Sequence, residues 1–225
     1  MEGTKLIERV SLAQRITHLL VALSIITLFI TGFPITFSDY LGWFAELIGG
    51  YKVTMFLHRV AATCLIFATF FYVTNYVLSW LSGRCKLETI IFSPKDILDF
   101  IQDLKYTFKL SDELPKYAKF NWLMKASLSY AIFEVFVFIV TGLILWFPWF
   151  FMNFMPKSYI LAAATIHRAF AIMALLHFTG HVYGNHFHPG EFPLHRVIFS
   201  GVLPEEHVKE EFPLWYEEIK EEEGE

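Results

Sequence analysis

Residues 166 to 188 read IHRAFAIMALLHFTGHVYGNHFH, an apolar run that carries His167, His177 and His181 at depths where a membrane helix ordinarily carries no ionisable side chain. Such residues are costly inside a bilayer, so each is a candidate for function. From His167 to His181 is 14 residues. At roughly 100° and 1.5 Å per residue, the two return to within about 40° of one helix face, about 21 Å apart along the axis. One helix can therefore serve two metal centres, one near each membrane surface.

The composition is that of a membrane protein. Of 225 residues 55% are hydrophobic and 18% charged, and 25 are Phe; the mean hydropathy is +0.46. These values lie far from the balance of a soluble domain. The length allows about four spans of ~20 residues with their connections. Cys64 and Cys85 are the only thiols and no CxxCH motif is present, which excludes c-type haem attachment and a Cys-ligated iron–sulfur cluster. Any metal is held mainly by histidine. The net charge of −4 comes largely from the acidic tail after Pro204 and gives no nucleic-acid signal.

The expected fold is all-α: an integral membrane four-helix bundle, a single membrane domain over 1–225, with an amphipathic cytoplasmic surface helix and a polar C-terminal tail. Spans are expected at about 14–35, 53–80, 125–147 and 160–187, with a long cytoplasmic loop over 82–124 and a cytoplasmic tail over 189–225. Span one is read as a retained helix, because Gly32-Phe33-Pro34 is a poor cleavage site and the apolar run is long for a signal peptide. Residues 38–52 are expected as a short loop with one interfacial turn around Trp43. In the long loop, Ser93-Pro94-Lys95-Asp96 starts a helix on which Ile97, Leu98, Ile101, Leu104 and Phe108 recur at helical spacing. Span three ends in the aromatic cluster WFPWFF and carries one charge, Glu134, expected as an inward-facing hydrogen-bonded acid with a proton relay as the alternative. The tail offers a short helix at 215–222.

Lys and Arg set the orientation. Lys5, Arg9 and Arg15 precede span one, eight lie from Arg84 through Lys125, and Arg196, Lys209 and Lys220 follow span four. Only Lys52 and Lys157 lie in the other loops, and Arg59 and Arg168 sit beside histidines at span starts. Fourteen against two places both termini and the long loop in the cytoplasm, and the chain in the inner (cytoplasmic) membrane. The histidines then sort by depth: His58 with His167 outside, His18 with His181 inside. Paired imidazoles from facing helices in an apolar, aromatic setting suit two bis-imidazole haems. Arg59 and Arg168, and Arg15 one turn from His18, are candidates to neutralise haem propionates.

Two other readings compete. Interfacial histidines can serve only as hydrogen-bonding groups, and imidazole also suits the Zn, Ni or Cu of a transporter. Transport sites, however, gather ligands near the midplane at interrupted helices, whereas these histidines lie towards the two surfaces. His177 shares the face of His181 and could replace it as a ligand, although it lies nearer the middle. His186, His188, His195 and His207 lie beyond the span and are read as solvated, with a surface metal at NHFHP as the alternative.

RITHLL in span one, FLHRVAA in span two, KFNWLMK before span three, VTGLILW within it, IHRAF followed after 14 residues by His181, and FPLWYEEIKE in the tail together resemble one family. It is the cytochrome b (gamma) subunit of respiratory formate dehydrogenases, within a wider di-haem group that includes the b-type cytochromes of nickel–iron hydrogenases. The resemblance spans nearly the whole chain. It implies two haem b groups with axial ligands at His18, His58, His167 and His181. It further implies an iron–sulfur subunit and a catalytic oxidoreductase subunit as partners, and menaquinone reduced near the cytoplasmic face beside Asn121 and His181. A hydrogenase or another periplasmic oxidoreductase is the alternative partner. The family's quinone segment resembles KYNAGQK; here Trp122 and Leu123 stand at its small-residue positions and Met124 at its glutamine position, which reshapes the pocket.

Overall fold

A computed structural model describes residues 5–84, 86, 90–187, 192 and 195–224. In chain order the elements are β1 (Leu6–Glu8), α1 (Leu12–Thr36), α2 (Ser38–Ile48), α3 (Tyr51–Leu81), α4 (Pro94–Thr107), α5 (Trp122–Trp146), α6 (Pro148–Phe151), α7 (Lys157–Val182), α8 (Val197–Ser200), β2 (Val202–Pro204), α9 (Glu205–Glu211) and α10 (Pro213–Glu223). A π-helical turn, Tyr183–Phe187, continues α7. Four helices are long and apolar enough to cross a membrane: α1, α3, α5 and α7 with its π turn. The described residues fall into two compact units, one within Met1–Arg15, Tyr76–Ala131 and Leu194–Glu225, the other within Ile16–Asn75 and Ile132–Pro193.

The second unit is the helical bundle, and it packs as membrane helices do. The buried positions of α1 are Thr17, Ser24, Thr31 and Pro34, the first three spaced by seven. Those of α3 are Thr54, Ala61, Leu65 and Ala68. Small residues at the seams let backbones approach where no water-driven hydrophobic force operates between helices. Large apolar side chains such as Phe67, Phe70 and Leu176 point outward, each more than two-thirds exposed, onto what lipid covers.

Residues 38–48, expected as loop, form the helix α2. Gly42 lies inside it, at a cost of only about 1 kcal/mol for a glycine in a helix interior. Asp39 sits in the first turn, and α2 ends at Gly49, whose N–H returns to Glu46 O. Tyr40, Trp43 and Leu47 expose one apolar stripe. That stripe has the spacing of an interfacial helix.

The first unit contains the one apolar cluster of buried residues found among the described residues. Ile7, Leu203, Val208, Phe212 and Trp215 form it, with Tyr117, Val197, Tyr216 and Ile219 packed against them. The tail therefore carries an apolar face besides its acidic one. β1 pairs antiparallel with β2, Ile7 opposite Leu203. The Arg9 and Val10 N–H groups both donate to Gly201 O, at 2.8 and 3.0 Å. Gly201 has φ +83°, and a Cβ there would stand 2.7 Å from the Val10 carbonyl, so the turn admits no side chain. Arg9 is buried with its guanidinium 4.0 Å from the centre of the Phe212 ring, and it donates to Lys119 O at 3.0 Å.

α4 begins as its sequence dictates. The Ser93 N–H and Oγ both donate to Asp96 Oδ2 at 2.6 Å, and Pro94 occupies the first helical position. Its inner face is pinned to the start of α5: Lys125 Nζ meets Asp96 Oδ2 at 3.1 Å, the Trp122 Nε1–H and the Tyr117 hydroxyl donate to Asp103, and Phe100 packs edge-on against Trp122. Ile97, Leu98, Ile101, Leu104 and Phe108 are left exposed on the other side. Burial and the Asp103 carboxylate push the Tyr117 phenol well above its ordinary value.

Candidate functional site: two histidine pairs in the bundle

The bundle brings four histidines together as two pairs. His58 of α3 and His167 of α7 stand with ring centroids 6.4 Å apart; His18 of α1 and His181 of α7 stand 6.1 Å apart. Each ring is partly buried. The edge of Phe138 closes on His167 at 5.1 Å, and Phe29 meets Phe178 at 5.7 Å, so the surroundings are aromatic.

The His58–His167 pair is held by a device that occurs twice. Thr31 Oγ1 lies 2.7 Å from the Thr27 carbonyl and 2.9 Å from His58 Nδ1. Thr141 Oγ1 lies 2.7 Å from the Val137 carbonyl and 2.8 Å from His167 Nδ1. A carbonyl only accepts, so each hydroxyl proton goes to the helix, and each imidazole must donate its Nδ1–H to the threonine oxygen. This hydrogen-bond logic assigns the tautomer. It leaves both Nε2 atoms as lone-pair donors. The residue after each threonine is glycine, and each glycine faces the histidine: a Cβ on Gly32 would stand 3.0 Å from His58 Cε1, and one on Gly142 would stand 3.6 Å from His167 Cε1.

These features fit an iron shared between two imidazoles. A metal–imidazole bond is about 2 Å long and the ring centre lies about 1.1 Å behind the nitrogen, so two rings on one iron have centroids roughly 6 Å apart. Both observed separations match. The edge of Phe138 and the small residues beside the rings suit a flat macrocycle.

The remaining site candidates divide. The Arg59 guanidinium lies 5.1 Å from the Trp146 ring centre, in a cleft lined by Phe56, Val60, Thr63 and Cys64. Arg168 is exposed. Arg15 donates from Nη1 to the Phe199 carbonyl, while its Nε is buried with no hydrogen-bond partner among the described residues. Asn121 caps α5: its Oδ1 accepts the Met124 N–H at 2.9 Å, leaving the amide Nδ2 to donate elsewhere. Trp122, at a small-residue position of the segment that resembles the family's quinone segment, is engaged by Asp103 and Phe100.

His177 and Glu134 proved to be partners. His177 Nδ1 lies 2.8 Å from Glu134 Oε2, and the Glu134 side chain is 6% exposed with Oε1 buried and without a partner among the described residues. Sequence reasoning treated the two separately, and nothing local links residues 43 apart. His186 lies within the π turn of α7, half-buried, and its Nδ1 has no partner among the described residues. It is therefore a bundle residue and was misread as a solvated one; π turns are frequent at functional sites. His195 and His207 belong to the tail, where His207 packs near Phe212 at 6.4 Å. His188 lies outside the described residues.

Over 220 residues the chain is 21% identical to the cytochrome b556(Fdn) subunit of the nitrate-inducible formate dehydrogenase of Escherichia coli K12, covering 98% of this chain and 94% of that protein. The corresponding subunits of Escherichia coli O157:H7 and Shigella flexneri match equally. A family model described as prokaryotic cytochrome b561, a haem b-binding membrane family, matches residues 9–199. With its four apolar spans, the chain is a membrane b-type cytochrome and belongs to the prokaryotic cytochrome b561 family.

Proposed function

We propose that this chain is the di-haem membrane subunit of a respiratory oxidoreductase, carrying electrons from an iron–sulfur partner on the outer face to a quinone reduced near the cytoplasmic face. The observation that carries this reading is the pair of imidazole couples, 6.4 and 6.1 Å between centroids, at opposite ends of α7. His58 and His167 would hold the outer haem through Nε2, and His18 and His181 the inner one; Arg59 and Arg168 flank the outer pair as propionate partners. Bound haem supplies reversible one-electron chemistry. The chain's own residues would supply the imidazole nitrogens to the iron and shield it with aromatic edges, and His177 is engaged by Glu134.

The likeness to a formate dehydrogenase cytochrome subunit favours a formate-oxidising module as the partner. The pairing of β1 with β2 supports a reading in which residues 6–8 and 202–204 lie on one side of the membrane, as an even number of spans favours. The excess of Lys and Arg in those segments favours the cytoplasmic side. For menaquinone, Asn121 offers Nδ2 as a donor to a carbonyl, since only its Oδ1 is used by the cap.

The deciding experiment is a reduced-minus-oxidised spectrum of the purified chain with haem and metal counted per protein. Two haem b per chain are expected. A colourless protein that binds Zn, Ni or Cu would overturn the reading in favour of a transporter, and one haem would overturn the di-haem assignment. Purification with its partners separates a formate-oxidising module from a hydrogenase.

A further inference from the structure

The spacing of the two threonine–histidine contacts shows a pattern that neither contact shows alone. Thr31-Gly32 on α1 serves His58-Arg59 on α3, 27 residues from threonine to histidine; Thr141-Gly142 on α5 serves His167-Arg168 on α7, 26 residues on. The hairpins α1–α3 and α5–α7 thus each carry one copy of the same four-residue arrangement, and the copies meet at one histidine pair. The other pair is built differently. His181 has Asn185 Nδ2 at 3.4 Å from its Nδ1, and that amide donates mainly to the His181 carbonyl at 2.7 Å. No threonine contacts His18 or His181 through a hydrogen bond among the described residues.

We propose that Thr31 and Thr141 are positioning residues that fix the orientation and tautomer of His58 and His167 and, through them, lower the reduction potential of the haem these two histidines hold. The inference rests on the di-haem reading above. Each threonine is itself locked, because its proton is committed to a helix carbonyl at 2.7 Å. It can only accept. An imidazole that donates its distal N–H to a fixed acceptor is turned to one plane and becomes a more electron-rich ligand, and partners of this kind change metal affinity by about tenfold or more. An electron-rich axial ligand favours the ferric over the ferrous ion. Both ligands of the one iron are treated alike, so the effects act in the same direction. Gly32 adds to the device at His58, since a Cβ there would stand 3.0 Å from His58 Cε1, whereas one on Gly142 would meet His167 Cε1 at an ordinary 3.6 Å.

The test uses the full chain, purified with haem, in native form and as Thr31→Val, Thr141→Val and Thr31→Ser. Each is titrated potentiometrically at the haem band, with ferric electron paramagnetic resonance spectra alongside. In each valine variant both haems stay, and the potential of the His58–His167 haem rises by about 59 mV, a tenfold change for one electron. Its ferric signal shifts, and the second haem is unmoved. Thr31→Ser, which keeps the hydroxyl, stays at the native potential. Unchanged potentials with both haems bound overturn the proposal, as does movement of the other haem, identified in a His18→Ala background. Should valine expel the haem, serine decides: retention at the native potential supports the hydrogen bond, and loss in serine too overturns it in favour of packing. A native chain that binds no haem defeats the underlying reading, and this inference with it, before any variant is made.

Discussion

Lys125 is where the cytoplasm-facing loop, as read from the sequence, meets the membrane span, and its ion pair with Asp96 gives the sharpest stability prediction. Both side chains are nearly excluded from solvent, 8% and 3% exposed, at 3.1 Å. Asp96→Asn keeps an acceptor for the Ser93 cap but leaves the ammonium buried without a counter-charge. Lys125→Met leaves the carboxylate with only the two Ser93 donors. Breaking a buried pair from one side costs about 3–5 kcal/mol, with Lys125→Met at the lower end because its orphan retains hydrogen bonds. The double variant leaves no buried charge, and such replacement is often close to neutral. It is therefore expected to be more stable than either single, with a coupling energy of about 2–4 kcal/mol.

The effect is local to α4, so amide hydrogen exchange over Pro94–Thr107 measures it. Three kcal/mol speeds exchange roughly a hundredfold. The pH dependence has a definite sign. Burial alone would raise the Asp96 carboxyl, but the Ser93 hydrogen bonds and the Lys125 ammonium outweigh it and hold the group below its ordinary 3.8. The pair's contribution is thus fully present above pH 3.8 and is lost as pH falls through the lowered value, a loss that Asp96→Asn abolishes. Single-variant effects that merely add in the double variant would refute the idea that this pair pins α4.

His58→Ala and His167→Ala should each remove one haem and leave the other, read as haem per protein; selective loss of the haem between His18 and His181 would show the pairing to be wrong. His177→Leu should keep both haems, since the ring is engaged by Glu134, but it strands a buried acid and should lower thermal stability by about 1–3 kcal/mol. Loss of one haem in that variant, with His181→Leu retaining both, would exchange the roles of the two histidines. Asn121→Asp preserves the acceptor that caps α5 but removes the amide donor, so stability should hold while quinone reduction falls roughly tenfold, about 1.4 kcal/mol of transition-state stabilisation. Unchanged quinone turnover, with haem intact, would remove Asn121 from the site.

The spans were legible because lipid demands long apolar runs, and a histidine inside one is conspicuous. α4 was legible because Ser93, Pro94 and Asp96 write its start in four residues. What escaped depends on partners far along the chain. Thr31 reads as one more small residue in a span until His58 is beside it; the return of the Thr-Gly of ITGF (30–33) in VTGL (140–143) was the available signal. Glu134 and His177 each looked like an isolated polar residue, and only the crossing of α5 with α7 makes them a pair. The tail's apolar face, Val208, Phe212 and Trp215, is diluted by ten glutamates from residue 205 onward. It becomes a core only when Ile7 and Leu203 meet across β1 and β2. Helix α2 was missed because Asp39, Gly42, Gly49 and Gly50 lie close together in residues 38–52, while Tyr40, Trp43 and Leu47 form a stripe only once the helix exists.

Joining β1 to β2 also has a consequence in time. Leu6 faces Pro204, so the strand at the beginning of the chain has no partner until almost 200 further residues exist. At roughly 5–20 residues per second that interval is about 10–40 s. Throughout it, Leu6–Glu8 is an unmatched edge while four helices are being inserted. Arg9, which in the finished fold lies over Phe212, also lacks that ring until the end of this period. Assembly of the first unit is thereby placed last, after the final helix has entered the bilayer, and a nascent chain truncated before residue 202 would carry a complete set of spans with its leading strand still open to other edges.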